Sequence, residues 1–433
     1  MLTERRLSPA ELEQFSAPPR GKRTRVVITG IGAVTPIGLS IEDFWRGLLA
    51  GKSGIDRVTL FDSAPYRTRI AGEVKNFDPK KYIDPKEARR VGRVTLFALA
   101  AAKEATADAG FGAGFNENPR AGVMIGNAIG GFVEGIREHD IFLQKGPDRV
   151  SPFVPSAILP NMPAFYIASH LRARGPNSTI STACAAGTQA VGEAAEWIRH
   201  GVADVMLAGG AEAIISDIVF AAFGVMRAMS TRNDDPGHAS RPFDKDRDGF
   251  VLGEGSAILV LEKLEHARAR GAKIYAEVLG SASNSDAYHF AAPDPQAIGA
   301  TMVMQQAMQN AGVTQEQISY INAHGTSTPL NDASESLAIK KAFGERAYQI
   351  PISSTKSMIG HSMGAAGAFE AAVCAMTIRD QKIHPTVNYE TPDPACDLDY
   401  VPNVARDATV NVTLSNSFGL GGQNACLILG KYE

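Results

Sequence analysis

The chain has 433 residues, 44% hydrophobic and 21% charged, enough to bury two cores or one repeated fold and unlike a disordered or fibrous polymer. Its 43 basic and 46 acidic side chains leave a formal charge of -3, so the basic footprint of a general nucleic-acid binder is missing. Four cysteines (Cys184, Cys374, Cys396, Cys426) with no CxxC pair read as free thiols in a reducing compartment, hence a cytoplasmic protein.

Residues 1–23 are charged and proline-bearing, lack the apolar run of a signal peptide, and read as a mobile tail. From Arg25, RVVITGIGAVTPIG predicts a fully apolar strand closed by glycines, and IEDFWRGLLAG predicts a helix. Strands follow at AGVMIGNAIGG, ADVMLAGGAE and GSAILVLEKL, separated by Ala-rich amphipathic segments such as RVTLFALAAAKEATADAG, the grammar of an α/β fold. The stretch Val205 to Met226 is the most apolar, yet Glu212, Asp217 and a Gly-Gly pair interrupt it, so no membrane span is expected. After EHARARGAK the pattern restarts with IYAEVLGSASNSDAYH and ISYINAHGTST. Each half holds a Gly/Ala-rich helix start behind a polar motif, TACAAGTQAVGEAAEWIRHG and GHSMGAAGAFEAAVCAM, which suggests a duplication. The halves are placed at 24–272 and 273–433.

Three motif look-alikes fail. GLLAGKS lacks one residue between its glycines and follows a helix, unlike a phosphate-binding loop, and GIGAVT has Thr35 where a dinucleotide fingerprint needs its third glycine. DKDRDGFVLGE spaces Asp244, Asp246, Asp248 and Gly249 like a calcium loop, but Gly255 stands where the bidentate carboxylate belongs, so it reads as a charged surface turn. No pair of the nine histidines has zinc-ligand spacing.

Cys184 stands in a small-residue turn that runs into a helix. A helix start lowers a thiol pKa and offers N–H groups to a developing oxyanion. His324, in INAHGTSTPLND, and His361, in STKSMIGHSMGAAG five residues after Lys356, are each delivered by a strand to a conformationally specific turn, the usual seat of α/β chemistry. One thiol and two imidazoles suit acyl transfer followed by carbanion chemistry. SNSFGLGGQN reads as a glycine hinge around Phe418 and Gly419, able to lend an oxyanion N–H and to act as an aromatic gate. In YIDPKEARRVGR, Asp84, Pro85 and Glu87 lay out a helix start, and Lys86, Arg89, Arg90 and Arg93 recur at helical spacing as a basic face.

From Arg25 onward these motifs, with RAMSTRNDDPGHASRPFDKDRDGFVLGEG, resemble the elongating condensing enzymes of the thiolase-like superfamily, of the β-ketoacyl-[acyl-carrier-protein] synthase II type. The resemblance implies an α/β thiolase-like fold of two similar halves in five layers, α-β-α-β-α, and a homodimer. It makes Cys184 the nucleophile, His324 and His361 the catalytic pair, Lys356 an organising charge and Glu370 its partner. Thr326 and Thr328 are implied to hold the phosphopantetheine arm, Phe418 to gate the acyl pocket and Ile129 to line its floor, while Asp286 and His289 look like a second mobile loop. Lys86, Arg89, Arg90 and Arg227 are implied to dock an acidic acyl carrier protein. No cofactor, metal, nucleic acid or membrane is called for. Leu420 and Gln423 stand where the family usually has Phe and Thr, and Gly92 where Asp is common. A thiolase needs a second cysteine in the C-terminal glycine loop, and acyl-CoA-primed synthases have Asn in place of His361. A non-catalytic partner subunit fits poorly with Cys184 present, whereas a type II polyketide ketosynthase uses the same residues.

Overall fold

Nine consecutive buried residues form the first strand, β1 (Val26–Val34), and burial on both faces is what a sheet covered by helices on each side requires. The first half adds β2 (Ala121–Gly126), β3 (Asn177–Ile180), β4 (Val205–Glu212) and β5 (Gly255–Lys263). The second supplies β6 (Ala276–Ser285), β7 (Tyr320–Asn322), β8 (Ile352–Ser353), β9 (Val412–Gly419) and β10 (Gln423–Gly430). This computed structural model describes residues 23–433. The tail expected over 1–23 lies outside them except for Arg23, which is anchored by Glu196 at 2.5 Å and by the Asn310 carbonyl at 2.9 Å.

Side by side the strands run β3-β2-β4-β5-β1 and then β6-β10-β9-β7-β8, so each half repeats the order third, second, fourth, fifth, first. The pairings repeat too. β2 is parallel to β3 and β4, as β7 is to β8 and β9; the remaining neighbours within each half are antiparallel. The halves join where Val26 to Ile28 of β1 run antiparallel to Ala276 to Val278 of β6.

Helices α1 (Arg93–Asp108) and α2 (Met162–Leu171) cover the outer face of the first half. Between the halves lies α3 (Ala186–Arg199). α4 (Ile298–Ala311) and α5 (Pro329–Phe343) cover the outer face of the second half, and α6 (Ala366–Asp380) joins α3 inside. The result is the five-layered thiolase-like arrangement. Being central, α6 is buried from Ala366 through Ile378. Its alanines and glycines are there for space: a Cβ on Gly367 would lie 2.0 Å from Thr188 Oγ1 and 2.6 Å from Thr188 N, and one on Gly187 would lie 2.7 Å from Ala368 N.

Two readings of the sequence need correcting. The basic helix is a single turn, Pro85–Ala88, capped by Asp84, whose carboxylate accepts from Lys86 N at 2.8 Å. Arg93 opens α1 instead, and its guanidinium meets buried Glu254 at 2.6 Å, because Gly92 breaks the run. The segment around Asp244 is no surface turn. Asp244 is fully buried, holds Arg241 at 3.0 Å and accepts from the N–H groups of Glu390 and Thr391 at 2.7 Å each, while Arg247 reaches Asp393 at 2.6 Å. Opposite charges spaced three apart satisfy each other here and clasp the 390–393 loop.

Gly367→Ala is expected to force the central helices apart at a cost of about 1–3 kcal/mol, read as a lowered midpoint in urea unfolding. An unchanged midpoint would show that the helix contact tolerates a methyl group.

Candidate active site

The two central helices begin the same way. Ala183 and Met363 take left-handed backbone conformations (φ 48° and 43°), each opens a 3-10 turn, Ala183–Ala185 and Met363–Ala365, and α3 and α6 follow at once. The first elbow carries Cys184 at its centre. The second has His361 just before it, delivered by β8 and the one-turn helix Lys356–Ile359, while β7 ends at Asn322, two residues before His324. The folding of these turns brings together what chain spacing kept apart: His361 Nε2 lies 3.1 Å from Cys184 Sγ, and the rings of His324 and His361 stand 5.3 Å apart and nearly perpendicular.

All three groups are buried, and their donor atoms lie within 4.8 Å of one another. That grouping has the donor types of a soft-metal site. Among the described residues, however, neither imidazole Nδ1 has a hydrogen-bond partner, whereas metal-bound imidazoles are held by an outer acceptor. The trio suits proton transfer and hydrogen bonding.

The expected lowering of the thiol pKa by the helix start is overturned. Burial pushes the Cys184 thiol up to about 11 against the opposing N–H groups of Leu420 and Cys184 and the Lys356 charge. Burial likewise holds His324 and His361 well below the usual imidazole value, with Lys356 adding to it. At neutral pH the pair is therefore thiol and imidazole, and His361 Nε2 at 3.1 Å is placed to accept the thiol proton. Lys356 is ion-paired with Glu370 and donates to the His324 carbonyl at 2.6 Å. Burial raises Glu370 to about 7 despite that partner.

Besides its own, the N–H facing the sulfur comes from Leu420, two residues beyond the expected Phe418. Phe418 is tied into the β9–β10 ladder opposite Asn424, so the free turn is Leu420 to Gly422. Gly419 is needed where it stands, since a Cβ would lie 2.8 Å from the Thr182 carbonyl. The turn leans on the second loop: Gly421 N donates to the Phe290 carbonyl at 2.8 Å, Asp286 N to the Gly422 carbonyl at 2.7 Å, and Asn424 to the Asp286 carboxylate at 2.7 Å. His289 Nδ1 caps its own loop, accepting from Ala291 N and Ala292 N at 3.1 Å.

A cavity of about 890 Å³ opens onto Cys184, His324 and His361. Thr326, Thr328, Phe418, Gly419, Ile129, Asp286, His289 and Arg227 all line it; the two threonine hydroxyls are 2.9 Å apart. Lys86, Arg89 and Arg90 are exposed and do not line it.

Sequence reading missed two supports. Glu335 on α5 accepts from His324 N at 2.8 Å, Gly325 N at 2.7 Å and Asn416 Nδ2 at 3.2 Å, fixing the turn that aims His324. Glu212 does the same for Gly364 N at 3.0 Å and Ala128 N at 2.6 Å. Both are acids on buried faces, which is the signal that marks them.

A duplicated thiolase-like fold with one buried thiol and two imidazoles converging at its helix starts defines a condensing acyltransferase. "Beta-ketoacyl synthase, N-terminal domain" matches residues 23–267 and "Beta-ketoacyl synthase, C-terminal domain" residues 275–390; the chain belongs to the beta-ketoacyl synthase family. Among its relatives, the 3-oxoacyl-[acyl-carrier-protein] synthase 2 of a Synechocystis species is 50% identical over 95% of this chain and 99% of its own, and that of Coxiella burnetii is 47% identical over the same shares. A beta-ketoacyl synthase from Burkholderia phymatum has a similar structure, with TM-score 0.88 at 39% identity over 95% of this chain and all of its own. So does a type II polyketide ketosynthase solved with its acyl-carrier protein, with TM-score 0.85 at 34% identity over 95% and 100%.

Two outcomes check these electrostatics. Alkylation of Cys184 by iodoacetamide is expected to keep accelerating past about pH 9, since only thiolate reacts; a plateau near neutrality would reveal a resting thiolate–imidazolium pair. Lys356→Met strands the Glu370 charge and is expected to cost about 3–5 kcal/mol. Because a carboxyl raised in the folded state favours folding at low pH, that loss grows as pH rises through 7. Urea unfolding at pH 6 and 8 measures it, and an equal loss at both would place the charge elsewhere.

Proposed function

We propose that the protein condenses an acyl group carried by acyl carrier protein with malonyl-carrier, releasing carbon dioxide and giving a β-ketoacyl-carrier, the elongation step of fatty acid synthesis. The carrying observation is His361 Nε2 at 3.1 Å from Cys184 Sγ, beside His324, at the end of a cavity large enough for an acyl chain. Cys184 sulfur attacks the acyl thioester, His361 takes its proton and returns it to the departing carrier thiol, and the acyl group stays on sulfur. Malonyl-carrier then enters. His361 Nε2, left bare by that transfer, takes a proton from water; the Nε2–H groups of His324 and His361 then donate to the thioester oxygen as carbon dioxide leaves, and the carbanion attacks the acyl carbon. The N–H groups of Cys184 and Leu420 hold the resulting oxyanion; the sulfur leaves as thiolate and takes the Nε2 proton of His361, which restores the resting thiol and neutral imidazole.

In this reading Thr326 and Thr328 hold the phosphopantetheine arm, Phe418 gates the cavity and Ile129 lines its floor; Asp286 and His289 move with the gate. Lys86, Arg89, Arg90 and Arg227 dock the carrier. The two halves, 24–272 and 273–433, divide the labour of nucleophile and histidine pair. The enzyme works in the cytoplasm without a cofactor of its own and as a homodimer, for which the open sheet edge at β3 and exposed Phe165 on neighbouring α2 offer a surface. Relatives at 47–50% identity are named 3-oxoacyl-[acyl-carrier-protein] synthase 2, against 34% identity for the polyketide ketosynthase complex, which favours elongation over a polyketide role.

Cys184→Gln is expected to lose condensation yet still release carbon dioxide from malonyl-carrier, while His324→Ala loses that release. Labelled carbon dioxide together with intact adduct mass reads both, and full release by His324→Ala would assign the enolate to another residue. Charge reversal at Arg89 and Arg90 is expected to raise KM for carrier-bound substrates in a salt-dependent way; an equal rise for small thioesters would make the patch structural.

A further inference from the structure

Glu212 ends β4 as a fully buried carboxylate, and among the described residues no cation pairs with it. Its partners are main-chain N–H groups from two separate places. One oxygen accepts from Ala128 at 2.6 Å and from Gly364 at 3.0 Å; the other faces Ile129 N at 3.5 Å. The turn 127–129 follows β2 and puts Ile129 on the cavity wall. Gly364 sits at the centre of the second elbow, the position that Cys184 holds in the first, three residues after His361. The two donors are packed as one body, because a Cβ on Gly364 would lie 2.4 Å from Ala128 N.

We propose that Glu212 is a positioning residue that couples the acyl end of the cavity to the base: it clamps the Ile129 turn and the His361 elbow together, so that a seated chain and the proton acceptor for Cys184 stay in register. The proposal rests on the acyl-transfer reading above. A carboxylate with two strong N–H donors on one oxygen holds both through a single atom, so either segment can shift only with the other. Arg or Lys in its place has no acceptor to offer, and a hydrophobic side chain leaves buried N–H groups unpaired.

Glu212 also acts on the thiol through space. The groups facing Cys184 are Lys356 and the N–H groups of Leu420 and Cys184, which favour thiolate, Glu212, which opposes it, and the uncharged rings of His324 and His361. Removing the Glu212 charge therefore has a readout that a purely structural contact does not: the alkylation profile of Cys184 moves to lower pH.

The experiment compares wild type with Glu212→Gln, nearly the same shape without charge, and Glu212→Asp, the same charge on a shorter arm. Acylation of Cys184 by acyl-carriers of different chain length is followed by intact mass, alkylation by iodoacetamide across pH, and folding by thermal unfolding. Glu212→Gln is expected to lower the acylation kcat by about ten- to a hundred-fold with KM for the carrier little changed, and to shift alkylation to lower pH. Glu212→Asp is expected to keep the wild-type alkylation profile while losing discrimination between long and short chains. Wild-type acylation by Glu212→Gln, or losses in both variants that merely follow the melting temperature with alkylation unmoved, would overturn the clamp. Wild-type protein that takes no acyl group on Cys184 overturns the elongation reading alone, and the alkylation shift then decides the clamp.

Discussion

The contact between α3 and α6 sets everything else. The two five-stranded halves of one ten-stranded sheet share one layer of helices, and the site exists only because the starts of those helices meet. Gly187 and Gly367 make that approach possible: each sits where a methyl group would strike the other helix, at 2.7 Å from Ala368 N and 2.0 Å from Thr188 Oγ1 respectively. Such packing leaves little slack. The 3.1 Å between His361 Nε2 and Cys184 Sγ is thus set by main-chain contacts of the central layer, far more rigid than side-chain rotamers.

Burial on this scale also decides the electrostatics. A thiol, two imidazoles and three carboxylates lie together buried in the interior, where charge is costly. The thiol and rings answer by staying neutral. Glu212 and Glu335 are held by main-chain N–H groups, and among the described residues only Glu370 of the three has a cation, Lys356. Each carboxylate fixes one turn of the site: Glu335 the His324 turn, Glu212 the His361 elbow, and Glu370 the lysine that bonds the His324 carbonyl. Reacting groups stay uncharged, and the polar cost falls on residues that position them.

The sequence made the chemistry legible and left the supports dark. Cys184, His324 and His361 stand in Gly- and Ser/Thr-rich turns whose backbone demands mark them, and the two Gly/Ala-rich helix starts announced the duplication. Glu212 and Glu335 sit in runs that look like ordinary strand and helix, and their partners are main-chain groups far away in sequence, 152 residues for Gly364 and 11 for His324, which no local pattern reports. The Asp84 helix failed for a different reason: spacing of charges suggested a continuous face, but Gly92 ended it, and Arg93 found a buried acid instead. Local rules likewise favoured a lowered thiol pKa at a helix start; the depth of burial, a tertiary quantity, outweighed the helix.

The duplication explains why the site is asymmetric while the fold is not. Both elbows share the left-handed residue, the 3-10 turn and the helix start. Were both to carry a cysteine, two thiols would compete for one acyl group, and the second would have no room: at Gly364 even a Cβ falls 2.4 Å from Ala128 N. Filling that space with the Ala128 turn frees the second elbow to present His361 toward the first. One elbow carries the cysteine, and the other, with glycine at the same place, frames the histidine. Glu212, at the end of β4 in the first half, accepts from Gly364 N of the second at 3.0 Å and so ties the two halves together at the site.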